Sequence, residues 1–147
     1  MASDNTPVVL VSAAEQTKVA RAVRAWLQTC PDKPVRKIDF EYLPENEGLT
    51  MSTVQAVKTR QYILGGYEAQ YTFRLVLRGG CEDTDQRLAA DEALDLMGEW
   101  AETDGGLTIA GATVRRVRRD TGASILARYD DGTEDHHIQI SIIYEVT

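Results

Sequence analysis

From Glu68 to Arg78 the chain alternates: Ala69, Tyr71, Phe73, Leu75 and Leu77 fall on one side, and Glu68, Gln70, Thr72, Arg74 and Arg78 on the other. Successive side chains of a strand point to opposite faces, so this run predicts a half-buried β-strand. Gly65-Gly66 precedes it and suits a tight hairpin turn, because glycine tolerates the positive φ such turns require. Beyond Gly79-Gly80, read as a second turn, Ala89, Ala93, Leu96, Met97 and Trp100 recur at helical spacing. Strand and helix each carry one apolar side, and burying both against each other makes the first half of a core.

The flanking segments extend this pattern. Pro7 to Val11 is a short apolar run, either a strand or the lead-in to a helix. Ser12-Ala13-Ala14-Glu15 matches the capping box, in which serine and glutamate satisfy orphan amides reciprocally. The helix after it places Val19, Ala22, Val23, Trp26, Leu27 and Cys30 on one side and Lys18, Arg21 and Arg24 on the other, and Pro31 and Pro34 end it. Arg36 to Leu43 reads as a strand with Ile38, Phe40 and Tyr42 on one face. Residues 44–60 are less regular. Met51, Val54, Ala56 and Val57 fit neither period, which leaves a strand running into Tyr62-Ile63-Leu64 or a mobile loop or arm. After the second helix, which Asp104-Gly105-Gly106 closes, strands are expected at Ala112–Arg119, Ser124–Tyr129 and His136–Val146. In the last of these Ile138, Ile140, Ile142 and Tyr144 share the apolar face. The opposite face, His137, Gln139, Ser141, Ile143 and Glu145, should be wet or covered by a neighbour. The expected fold is one α+β domain over 1–147, a mostly antiparallel sheet with two main helices packed on one face, with residues 1–6 flexible.

Composition narrows the function classes. A net charge of −7 opposes general binding to nucleic-acid phosphates. Cys30 and Cys81 lie far apart in no metal or redox spacing, which reads as two reduced thiols. No stretch approaches a membrane span, and the first residues lack a basic signal-peptide region, so a cytoplasmic setting is expected and no membrane partner.

No motif in the chain carries catalysis or a cofactor. Adjacent His136 and His137 on a strand point to opposite faces, so with Glu134 and Asp135 they read as a polar strand start and not as one metal site. Ser52, Ser124 and Ser141 lack nucleophile-elbow glycines, and the paired glycines form no phosphate loop. We expect no enzyme activity, no cofactor and no metal.

Two concentrations of charge remain. Arg115, Arg116, Arg118 and Arg119 put Arg116 and Arg118 on one strand face and Arg115, Val117 and Arg119 on the other. This is either a basic band that meets nucleic acid or an acidic partner, or a charge-guarded edge strand. The second helix is acidic along its length, with Asp91, Glu92, Asp95 and Glu99 at its centre and Arg87 its sole basic residue. Lys18, Arg21 and Arg24 of the first helix, or the arginine strand, could face it across a contact between copies. A solvated helix face is the alternative.

The run Tyr62-Ile63-Leu64-Gly65-Gly66, then Tyr71-x-Phe73-x-Leu75-x-Leu77-Arg78 and an acidic helix ending Glu99-Trp100, resembles the minor capsid or tail terminator proteins of long-tailed bacteriophages. The closing strand Ile138-x-Ile140-x-Ile142-x-Tyr144 resembles the end of the same family, so the likeness runs from about Gly48 to the C-terminus. It implies a virion structural protein: a homo-hexameric ring at the head-proximal end of the tail tube that ends tube growth. Its partners would be the tail tube protein and a head completion or connector protein, with DNA only passing through the lumen. The resemblance transfers no catalytic motif. A head–tail connector of the same neck, or a small soluble enzyme, are the alternative readings.

Overall fold

A computed structural model describes residues 8–147; the expectation for 1–6 lies outside them. Within these residues the chain runs β1 (Val9–Leu10), α1 (Ala13–Leu27), β2 (Ile38–Phe40), β3 (Gly48–Gln61), β4 (Tyr67–Gly80), α2 (Thr84–Thr103), β5 (Thr113–Arg119), β6 (Ser124–Arg128) and β7 (Thr133–Val146). β3, β4 and β7 are long and antiparallel, with β4 at the centre. β1 and β2 lie end to end along the free edge of β3, and β5 and β6 lie end to end along the free edge of β7. All pairings are antiparallel except β2 with β3. The protein is therefore α+β, with a mostly antiparallel sheet.

Both helices cover one face. Ala69, Tyr71, Phe73 and Leu75 of β4 and Ile138, Ile140 and Ile142 of β7 are fully buried beneath them, as their alternation predicts. Trp26 of α1 and Trp100 of α2 stack with ring centroids 4.9 Å apart, and the Trp26 indole donates to Asp104 Oδ2 at 2.8 Å. A stacked pair of this kind adds about 0.5–1.5 kcal/mol to what burial gives.

Ser12 caps α1 by accepting from the Glu15 amide at 3.2 Å. The reciprocal half of the capping box is missing. The Glu15 carboxylate instead accepts from the hydroxyls of Tyr67 and Tyr144, the latter at 2.6 Å, and so ties α1 to the sheet. Burial and this carboxylate push the Tyr67 hydroxyl up to about 12.

One alternative is decided and several expectations are corrected. Residues 48–61 form strand β3, as the strand reading expects, and not a loop or arm. Bulges between Thr53 and Gln55 and between Lys58 and Arg60 break the alternation, so that Leu49, Met51 and Ala56 share the buried face despite their mixed spacing. The strand ends at Gln61, and Ile63 and Leu64 stand fully exposed in the turn, with Gly65 and Gly66 at positive φ. β2 is short because Glu41 takes φ 50° and turns the chain away, leaving Phe40 and Tyr42 exposed. Gly79 and Gly80 are not a turn but the last residues of β4, opposite Glu134 and Thr133.

Helix α2 is rotated from its expected orientation. Leu94, Met97, Gly98 and Ala101 face the sheet, whereas Ala89 and Leu96 are exposed and Ala93 and Trp100 half-buried. Gly98 explains the choice. A Cβ there would meet Arg119 Cδ at 2.5 Å and Ile138 Cδ1 at 3.0 Å, so the helix approaches the sheet where it has no side chain. Gly98→Ala should therefore not yield the roughly 1 kcal/mol that alanine gains over glycine in a free helix. We expect the urea midpoint to stay level or fall; a rise worth that full amount would contradict the close approach.

Candidate functional site

Three features carry the chemistry of this molecule: the arginine strand, the outer face of α2, and a buried polar cluster under its N-terminal half.

A bulge between Val114 and Arg116 re-aims the arginine strand. Val117 and Arg119 face the helices, while Arg116 and Arg118 share one face, as expected, and it is the outer one; Arg115, expected beside Val117 and Arg119, is the extra residue of the bulge and reaches Glu145 on the outer face at 2.6 Å. Arg118 pairs with Asp120 at 3.1 Å and Arg119 with Glu102 of α2 at 2.9 Å. Arg116 is exposed and forms no ion pair among the described residues. Much of the basic strand is thus neutralised within its own chain.

The first helix behaves similarly. Lys18 donates to the Ala110 carbonyl at 2.8 Å and Arg24 to the Ile38 carbonyl at 2.7 Å, while Arg21 is exposed and borders an open cleft of about 530 Å³ with Phe40 and Lys37.

The four acidic candidates of α2 divide. Asp91 turns inward to His136, and Asp95 accepts from the Ala123 amide at 2.9 Å, fixing the β5–β6 connection. Glu92 and Glu99 face outward and form no ion pair among the described residues. With Asp85, Leu88 and Leu96 they form one stripe, because residues three and four apart share a helix face. Leu88 is 62% and Leu96 47% exposed, so this stripe alternates acid and leucine in full contact with solvent.

The buried cluster was not legible in the sequence. Glu134 and His136 alternate on β7 and face α2. Glu134 Oε2 accepts from Arg87 at 2.8 Å and Arg128 at 2.9 Å, and its Oε1 lies 3.1 Å from His136 Nε2. The Nδ1 of His136 meets Asp91 Oδ1 at 2.7 Å. The sulfur of Cys81 completes the group. His137 points to the other face, so the two histidines separate as strand geometry requires. The only sequence signal was the i, i+2 spacing of Glu134 and His136; their partners come from α2 and β6.

On the opposite sheet face, Arg78 holds Asp135 through two parallel bonds of 2.7 and 2.9 Å, with the Tyr129 hydroxyl donating to the same carboxylate at 2.8 Å. Further along, Ser141, Gln139 and Arg118 all donate to Asp120. Among the described residues no helix covers this face.

These bonds depress carboxylates. Hydrogen bonds from Arg87 lead those that hold Glu134 down to about 2 against its burial. Burial would raise Asp135 and Asp120, but their donors outweigh it and keep both below the usual range. Such groups bind fewer protons folded than unfolded, so their stabilisation is present above the ordinary carboxylate range and is lost as pH falls through the folded values. Urea unfolding should show stability level above about pH 5 and declining steadily toward about pH 2. A flat profile over that window would remove these bonds from the stability of the fold.

The fold and these features define an α+β protein in which much of the arginine strand is paired within the chain and an acidic-apolar helix stripe is open to solvent. The chain matches no family model, and no curated protein matches it. Among the described residues no helix is long and apolar enough to cross a membrane.

Proposed function

We propose that this protein is a structural component of a bacteriophage virion: a tail terminator that forms a homo-hexameric ring at the head-proximal end of the tail tube, stops tube growth and joins tail to head. The observation that carries the reading is the open α2 stripe of Asp85, Leu88, Glu92, Leu96 and Glu99. A ring of identical subunits needs two unlike, complementary patches on each copy. The stripe offers acid and exposed leucine, and the α1 flank with Arg21, Lys37 and exposed Phe40 offers base and apolar surface. The resemblance of the Tyr62–Trp100 stretch to tail terminators supplies the class. Two further features suit contacts with other virion proteins. Ile63 and Leu64 project fully exposed from the β3–β4 turn. The helix-free sheet face holds Arg74 Nε and His137 Nδ1 buried without a partner among the described residues.

Light scattering over a range of concentrations tests the ring. A closed hexamer has a mass of about 98 kDa, six times the 16.3 kDa of the chain. Leu88→Glu with Leu96→Glu should return the protein to the monomer while shifting its melting free energy by no more than about 0.5 kcal/mol per site, as surface changes do. If the wild type is monomeric alone, addition to polymerising tail-tube subunits decides: tubes that still grow without limit would sink the terminator reading and leave the neck connector.

A further inference from the structure

We propose that Cys81, Glu134 and His136 form a binding site for a thiophilic divalent cation of the zinc class, with Asp91 as the carboxylate that orients the histidine. The site does not depend on the ring.

Its ligands come from two strand ends that the sheet brings together. Cys81 directly follows β4, anchored by its amide to the Gly132 carbonyl at 3.2 Å, and Glu134 and His136 project from the same face of β7. All three are at least nine-tenths buried, and one potential ligand atom from each lies within 4.8 Å of the others. Around a tetrahedral zinc ion with ordinary bond lengths, ligand atoms sit about 3.4–3.8 Å apart, so closing the site asks for shifts of about an ångström. Thiolate, imidazole and carboxylate are together a set that selects zinc over calcium or magnesium.

The second argument is the setting of His136. Its Nδ1 lies 2.7 Å from Asp91 Oδ1, the kind of carboxylate contact that orients metal-bound histidines. Its Nε2 faces Glu134 Oε1 at 3.1 Å. A cation shared by Nε2, Oε1 and the Cys81 sulfur would sit between these groups. Arg87 and Arg128 both hold Oε2, which keeps the carboxylate ionised and leaves Oε1 as its ligand atom. A cleft of about 360 Å³ bordered by Gly80, Gln86 and Ala89 reaches the cluster, giving an entry path and room for water as the fourth ligand.

Binding requires the Cys81 thiol to give its proton to solvent. Burial and the Glu134 charge hold that thiol up, while Arg87 favours its ionisation and Asp83 opposes it. Asp91 and Glu134 otherwise balance Arg87 and Arg128, so the bound site carries one net positive charge.

Cobalt(II) titration of chelator-treated, reduced protein gives the test. We expect one ion per chain with a sulfur-to-cobalt charge-transfer band, displaced by zinc, and zinc protection of Cys81 against alkylation as mapped on the wild-type chain. The band should vanish in Cys81→Ser and persist in Cys30→Ser. Asp91→Asn should weaken zinc binding about ten- to a hundredfold while keeping the band. Absence of the band in the wild type, its loss in Cys30→Ser instead, or alkylation of Cys81 unchanged by zinc would each overturn the site. The wild-type measurements stand even if Cys81→Ser fails to fold.

Discussion

Phe73→Ala should lower the unfolding free energy by about 3–5 kcal/mol, the range for deleting a buried phenylalanine ring. Phe73 is fully buried in the central strand, opposite Thr53 of β3 and Ile140 of β7, and stacks on Tyr71 at 5.9 Å between centroids. β4 is hydrogen-bonded on both sides and covered by helices, so its neighbours cannot move in to fill the space. Most of the cavity cost therefore remains. A domain of this kind has about 5–15 kcal/mol in total, so the variant should be close to unfolding at growth temperature. Urea titration with Arg116→Ala as the exposed control, expected within about 0.5 kcal/mol of wild type, makes the comparison. A loss below about 1.5 kcal/mol for Phe73→Ala would mean that the core is not closed around β4.

The second large effect lies on the other face. Arg78→Ala should cost about 3–5 kcal/mol near neutral pH, because it strands the Asp135 carboxylate in a buried position. The side chain of Asp135 is 5% exposed and that of Arg78 18%, so solvent screens the pair little. Only the Tyr129 hydroxyl would remain to satisfy the charge. The deficit should shrink as pH falls, since Asp135 then takes a proton and no longer needs a cation. Arg78→Lys should recover part of the loss, because an ammonium cannot make the two parallel bonds of 2.7 and 2.9 Å. The double variant Arg78→Ala, Asp135→Ala should be less damaging than the two single changes summed. An Arg78→Ala loss that is small and independent of pH would show that water reaches Asp135 and would demote this pair to a surface contact.

Local pattern carried much of the fold. The strict alternation of Ala69–Leu77 and Ile138–Tyr144 placed their buried faces correctly, since a strand has period two whatever surrounds it. Ser12 announced the start of α1 for an equally local reason, a side-chain oxygen within reach of an amide three residues on. Where the reading failed, an extra residue or a competing surface intervened. The bulges of β3 made Leu49, Met51 and Ala56 look aperiodic, and the bulge of β5 moved Arg115 to the other face. α2 has leucines on two sides, and only the contact with the sheet selects between them.

The charged candidates illustrate the same division. Four arginines in five residues and an acidic helix were visible at once, but their partners were not. Arg119 finds Glu102, Arg118 finds Asp120 and Asp91 finds His136, all within the chain, which leaves Arg21, Arg116, Glu92 and Glu99 as the candidates still open to another molecule, with Asp85 beside the last two. Cys81, Glu134, His136, Asp91, Arg87 and Arg128 come from four segments, and no spacing between those segments in sequence encodes their meeting.

The sequence by itself determined the class of fold, the central strand pair and the apolar face of each, because alternation and helical spacing act between near neighbours. The tertiary structure alone decided which side of α2 is buried, which charges are spent internally, and that a thiol, a carboxylate and an imidazole share one enclosed site. Those outcomes depend on the close approach at Gly98 and on strand ends meeting across the sheet, distances that no local period contains.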